Sequence, residues 1–287
     1  MHDLDVALVS CRQLPEPDPD AAPLAAGLAA TGISSSVLAW DDPGADWSRA
    51  PLTVLRSCWN YPRHHDAFLR WAERAAAASE LWNPLPIVRW NSHKSYLLDL
   101  ERRGILITPT SLLPRGSDLN LRTVMADRRW DEVVVKPAVS AASYKTIRAG
   151  RGSLDTGEAH LRDLLSDRDV LVQQYLPSVE GHGERALIWI DGELTHAVRK
   201  TPRFAGDDEA ASATAVPISS TEADLARRAV AAVDGPLVYA RADVAPGPAG
   251  APVLMELELI EPSLFFAQHR PALDRFVAAI RRLVDSR

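Results

Sequence analysis

Hydrophobic and polar positions alternate most regularly near the end of the chain. In Leu254-Met255-Glu256-Leu257-Glu258-Leu259 a β-strand would turn Glu256 and Glu258 to one face and Met255, Leu257 and Leu259 to the other. A second strand-like run, residues 238–244, carries Arg241 and Asp243 on one face. Further apolar or alternating runs predict strands over 133–136, 170–175, 186–190 and 193–199, and Asp191-Gly192 between the last two is a hairpin signal. Helical spacing covers 157–166, 220–233 and 272–285, the last with Phe276, Ile280 and Leu283 on one stripe. Ser92 is expected to cap a helix over 93–103 that Gly104 stops. Strands and helices that do not strictly alternate predict an α+β fold for this half.

The first ninety residues have a different texture. Strands are expected over 5–10, 35–40 and 52–56, with helices over 21–31 and 64–79. This β–α–β–β–α order predicts a small α/β domain with a partly parallel sheet, ending near Trp82-Asn83-Pro84. The expected division is therefore 1–90 and 91–287. Residues 203–214 have no apolar periodicity and are read as a mobile loop beside the site.

Composition narrows the function more by exclusion than by assignment. The chain has 287 residues, 46% of them hydrophobic and 24% charged, as ordinary globular proteins do. A net charge of −6 argues against a nucleic-acid binder. No apolar run approaches the roughly 18 residues that a membrane span needs. Asp3 and Asp5 stand where a secretory signal would be basic, and Cys11 and Cys58 lack metal-ligand spacing, so a cytoplasmic protein with reduced thiols is expected.

Several residues can carry chemistry. Asp243, Glu256 and Glu258 would converge if their two strands pair, and three oxygen donors suit Mg²⁺; the competing reading is a solvated acidic face. Lys136 ends the apolar run Val133-Val134-Val135 and either binds an anion or reaches solvent. The following Ala138-Val139-Ser140-Ala141-Ala142-Ser143 is small enough to bring backbone N–H groups to phosphate, with Ser140 and Ser143 as its hydroxyls. Gln173-Gln174-Tyr175-Leu176 closes a strand whose end can read a purine edge, and Glu180 can meet ribose hydroxyls. Arg199, Lys200 and Arg241 can hold anionic groups; alternatively Arg241 pairs with Glu256 or Glu258.

The ordered set Lys94, Lys136-Pro137, Gln173-Gln174-Tyr175-Leu176, Arg241-Ala242-Asp243 and Glu256-Leu257-Glu258 with Pro262 resembles the ATP-grasp ligase superfamily over about residues 91–270. It is most similar to the glutathione-synthetase-like and ribosomal-S6-modification-like branch. The resemblance implies ATP between two antiparallel sheets, under a mobile lid at about 127–175. It implies phosphate contacts from Lys94 and Lys136, an adenine hinge at Gln173 to Leu176, a ribose contact from Glu180, and Mg²⁺ on Asp243, Glu256 and Glu258. Arg241 would steady an acyl phosphate, and residues 1–90 would be the substrate-side domain, with residues 56–61 facing substrate. Two positions depart from the pattern: Glu258 stands where asparagine is frequent, and Ser140-Ala141-Ala142-Ser143 where glycines are usual.

The activity so implied is an ATP- and Mg²⁺-dependent carbon–nitrogen ligase that phosphorylates a carboxylate or a ureido carbonyl oxygen of a small amino-acid-like substrate. Arg56, Arg199 and Arg241 would receive its carboxylate. Joining is either to a separate amine or intramolecular, as in cyclo-ligases of antibiotic pathways that close O-ureido-D-serine to D-cycloserine. No nucleic-acid or membrane partner is expected, and a homodimer is left open. The rivals are a small-molecule kinase, a nucleotide-binding module without turnover, and a two-carboxylate hydrolase.

Overall fold

Val6–Ser10 (β1) is buried along its whole length, as a strand covered on both faces must be. Ser35–Ala39 (β2) and Leu52–Leu55 (β3) flank it in parallel, and Glu80–Trp82 (β4) pairs in parallel with β3. The sheet order is β2-β1-β3-β4, so the expected partly parallel sheet is parallel at every pair. Ala21–Ala30 (α1) and His65–Ala78 (α2) cover it, and Leu85–Asn91 (α3) leads out across the expected boundary at residue 90. The computed structural model describes residues 3–141, 143–201 and 210–287. Most of the expected mobile loop, 203–209, lies outside the described residues.

The helix expected over 93–103 begins later, at Tyr96–Arg102 (α4). Residues 92–95 form the turn between α3 and α4, and the Ser92 hydroxyl donates to the Arg89 carbonyl instead of capping α4. Lys94 sits in that turn, where its backbone N–H donates to the Ala138 carbonyl at 2.7 Å.

The next unit is an antiparallel sheet with its own apolar interior. Thr110–Leu113 (β5), Leu121–Arg128 (α5), Glu132–Pro137 (β6), Ile147–Gly150 (β7), Leu154–Leu165 (α6) and Val170–Gln174 (β8) assemble in the strand order β5-β8-β6-β7. Val133, Val135 and Val172 pack there on Leu121, Val124, Leu161 and Leu164. Gly157 allows α6 to lie close, since a Cβ would come 2.7 Å from Ala149 and Leu121. The unit thus starts at Thr110, not at 127 as expected; β5 is four residues long and carries little signal.

After the single turn Ser178–Gly181 (α7) come Glu184–Ile190 (β9), Glu193–Lys200 (β10), Ser220–Ala231 (α8), Tyr239–Pro246 (β11), Pro252–Glu258 (β12) and Arg270–Asp285 (α9). The strands form a second antiparallel sheet, β10-β9-β11-β12. Its hairpin turn has φ of 47° at Asp191 and 86° at Gly192, the left-handed backbone that Asp-Gly adopts readily. One face, with Leu187, Ala240 and Leu257, packs on α8. The other, with Ala186, Ile188, Val198 and Tyr239, shares a core with Val6, Leu8 and Leu52 of the first sheet and with Phe276 and Ile280 of α9.

Candidate active site

The face of β9–β12 that joins the first sheet's core changes character toward one end, where its residues become charged. Strand alternation and register explain this: Asp243 is opposite Glu256 and Arg241 opposite Glu258 in the β11–β12 ladder. Asparagine side chains hold the edge strand in place. Asn91 Nδ2 donates to the Leu257 carbonyl at 2.7 Å, and its Oδ1 accepts from Leu259 N–H at 2.9 Å.

Cations interleave with the acids. Lys94 and Lys136 reach the two Glu256 oxygens at 2.9 and 2.6 Å. Arg241 donates to both Asp243 oxygens at 2.9 Å, and Lys200 donates to Oδ2 at 2.7 Å. Lys200 also pairs with Glu184, and Arg241 with Glu258. Burial pushes every one of these carboxyls toward the neutral form, and the pairing decides the outcome. For Glu256, Lys136 and Lys94 outweigh burial and hold it far below the usual range. For Asp243, Arg241 and Lys200 do the same, to about 2. Burial prevails at Glu184 and Glu258, each raised to about 7, and at Glu261, raised to about 8 with Glu258 adding to the effect. Burial also lowers Lys136, whereas at Lys94 the Glu256 carboxylate outweighs it.

The expected convergence of Asp243, Glu256 and Glu258 as a three-acid cluster is not formed. Among the described residues no three acid, histidine or cysteine side chains gather as a metal site. Each acid is turned instead to a lysine or arginine, because buried like charges at this spacing need neutralising. The donor set is nevertheless all carboxylate oxygen, the chemistry that Mg²⁺ takes. The arginine pairing weighed for Arg241 is present, with Glu258 and Asp243.

Beside these clusters, a cleft partly open to solvent lies between the two antiparallel sheets. Lys136, Gln173, Gln174, Tyr175 and Leu176 line it from one side, Glu184, Met255 and Glu256 from the other, and Lys94, Ser140 and Ser143 close one end. Leu176 and Val179 with Val134 and Met255 make an apolar slot. The Gln173 side chain is committed, donating to Thr110 Oγ1 at 2.9 Å. In the loop after β6, Ser143 and Lys145 hold φ of 56° and 50°, left-handed backbone where a glycine would sit without strain.

Arg199, Glu180 and Arg56 are turned away from the cleft, and Arg241, Lys200, Asp243 and Glu258 do not line it. Arg199 follows Val198 and precedes Lys200 on one strand, so it faces the opposite side; its guanidinium is exposed and donates to the Gly181 and His182 carbonyls. Glu180 is turned outward by α7, accepting from Tyr175 Oη and Arg148, both at 2.7 Å. Arg56, expected at the substrate, is built into the interior. It donates to the Pro262 carbonyl at 3.2 Å, lies 3.7 Å from Asp20, and stacks over the Tyr239 and Phe276 rings.

The sequence reading missed Glu184, Glu261 and Asp20. Glu184 was legible in principle, two residues before Ala186, which pairs with Asp243. Glu261-Pro262 adjoins the acidic strand. Asp20 gave no signal, because its partners, the N–H groups of Leu264, Phe265 and Phe266, are about 245 residues away.

Residues 6–83 match the family described as D-cycloserine synthetase DcsG, N-terminal domain. The cycloserine biosynthesis protein DcsG of Streptomyces lavendulae is 34% identical over 278 residues, 92% of this chain and 93% of that protein. The crystal structure of D-cycloserine synthetase DcsG superposes with a TM-score of 0.90 at 32% identity, covering 97% of this chain and 99% of the other. The fold extends further, to the ATP-grasp ligase PsnB complexed with minimal precursor, Mg and ADP, at a TM-score of 0.63 and 19% identity over 98% of this chain and 99% of the other. With that likeness spanning both domains, the chain belongs to the D-cycloserine synthetase family of ATP-grasp, ATP-dependent ligases.

Proposed function

We propose that this ligase closes a ring within one amino-acid molecule, converting O-ureido-D-serine toward D-cycloserine at the expense of ATP. What supports this most is the whole-length likeness to D-cycloserine synthetase, over a cleft whose end is lined by cations. Adenine takes the apolar slot beside Tyr175 and Leu176. Lys94 and Lys136, released from Glu256, take the phosphates. Asp243, Glu256 and Glu258 are the residues that would hold Mg²⁺, which would supply neutralisation of the phosphate charge.

A substrate carboxylate oxygen attacks the γ-phosphorus and ADP leaves. Arg241 and Lys200 stay beside the anionic acyl phosphate, while Ser140 and Ser143 on the loop after β6 cover the phosphates and exclude water. The ureido nitrogen bonded to oxygen then attacks the acyl carbon, expelling phosphate and closing the five-membered ring, and hydrolysis of the carbamoyl group left on that nitrogen releases carbon dioxide and ammonia. Holding both reactants in one molecule supplies the proximity that a separate amine would need to gain by binding. Buried free Cys11 and Cys58, and the absence of any helix among the described residues able to cross a membrane, suit a cytoplasmic enzyme.

The test is an ADP-release assay with O-ureido-D-serine, ATP and Mg²⁺, with products read by mass spectrometry. Stoichiometric ADP and cyclic product are expected. A lasting phosphorylated product would establish a kinase instead, and nucleotide binding without ADP release a non-catalytic module.

A further inference from the structure

Five acids are spread over the charged end of the β9–β12 sheet without meeting as one group, and four of them have a cation within ion-pair distance: Glu256, Asp243, Glu184 and Glu258. Glu261 has none among the described residues, although only 7% of it is exposed. Its neighbours are Glu258, the Tyr61 hydroxyl and, farther off, Lys94 and Arg241, both committed to other acids.

The side chain cannot swing out to water, because its loop is clamped from both domains. Trp59 Nε1 donates to the Glu261 carbonyl at 2.8 Å and Arg56 to the next carbonyl, of Pro262. Arg241 reaches the Ser263 carbonyl at 3.4 Å. The Asp20 carboxylate then accepts the N–H groups of Leu264, Phe265 and Phe266 at 2.6, 3.2 and 2.9 Å. An acidic side chain fixed in the interior with no cation beside it is a place to which a ligand can bring the missing charge.

We propose that Glu261, with the Tyr61 hydroxyl beside it, is the site for the ammonium group of the substrate. This rests on the reading of the enzyme as an amino-acid ligase and deepens it. Glu261 follows the acidic strand where it meets the first domain, within the field of Arg241 and of Lys94 at the cleft's end, so the substrate's two charged ends would be held by opposite charges. An amine held as ammonium keeps its proton and has no lone pair with which to attack the acyl phosphate of a second molecule. Ring closure is made by the ureido nitrogen bonded to oxygen.

The experiment compares O-ureido-D-serine with 3-(ureidooxy)propionate, which lacks only the amino group, on wild type, Glu261→Gln and Glu261→Asp. For the amine-bearing substrate, Glu261→Gln should raise KM about 10- to 100-fold, with the ATP KM within about twofold and Glu261→Asp between the two. The analogue should show wild type and Glu261→Gln alike, since the group that Glu261 meets is missing. An equal loss of kcat on both compounds, as a proton-transfer role would give, overturns the proposal, as does an unchanged KM for the amine-bearing one. Failure of wild type to release ADP with either compound rejects the substrate reading instead. The ammonium site is then read from thermal unfolding with D-serine and with 3-hydroxypropionate. Selective stabilisation of wild type, but not of Glu261→Gln, by D-serine upholds it, and the lack of that selectivity overturns it.

Discussion

Asp243 and Glu256 face each other across the β11–β12 ladder, yet among the described residues they share no cation: Arg241 and Lys200 hold the first, Lys94 and Lys136 the second. The free enzyme therefore already neutralises the acids that a divalent ion would need. Mg²⁺ alone should bind weakly, and should bind well only when phosphates draw the lysines away. In calorimetry, millimolar Mg²⁺ should give little heat without nucleotide and a clear binding isotherm with ADP present. Tight binding of Mg²⁺ to the bare protein would contradict this.

The same exchange of partners sets the roles of the two lysines. Lys136→Ala should weaken ATP about 10- to 100-fold by removing a buried charge-assisted contact. Glu256→Gln should leave nucleotide binding closer to wild type, because its lysines are then free for phosphate, while ADP release drops by more than about 100-fold. Measuring Kd by calorimetry and turnover separately distinguishes the two; matching losses in both variants would defeat the assignment.

Asn91 ties the acidic edge strand β12 to α3 through two backbone hydrogen bonds. Asn91→Ala leaves the Leu257 carbonyl and the Leu259 N–H unpaired in a buried setting. A loss of about 2–3 kcal/mol in urea unfolding is expected, together with reduced turnover, since Glu256 and Glu258 ride on that strand. Unchanged stability would show that water replaces the side chain.

Stability should fall as pH rises. Glu184 and Glu261 titrate near 7 and 8 in the folded protein, against 4.5 for an unperturbed glutamate. Between those values the native state holds more protons than the unfolded chain, so each unit of pH costs stability. Asp243 and Glu256, held low, act in the opposite sense and lose their contribution below about pH 4. Denaturant midpoints should therefore peak near about pH 5 and decline toward about pH 8. Glu261→Gln should flatten that decline and exceed wild type at the alkaline end; parallel curves for the two proteins would contradict it.

Much of this was legible because strand alternation is a local signal. The Leu254 to Leu259 run fixed the face of Glu256 and Glu258, and the Arg241-Ala242-Asp243 spacing fixed theirs. Adjacent residues were where the reading failed: Arg199 and Lys200 cannot both face one cleft, and period two should have excluded one of them. Lys94 was identified, but on a helix instead of a turn, because α3 and α4 present one nearly continuous apolar pattern. Short β5 and β7 and the loop glutamate Glu261 gave no periodicity; long-range packing makes them what they are.

The interior shared by the first sheet, α9 and the β9–β12 sheet has a kinetic corollary. Wall and acids are welded together, so separating them would unfold the protein before it admitted a ligand. The β5–β8 unit keeps most of its apolar side chains in an interior of its own, so a swing of that unit would open the cleft at least cost. Were ATP entry and product escape paced by such a swing, a crosslink from it to α4 would stall turnover while sparing the chemistry of a ligand already enclosed.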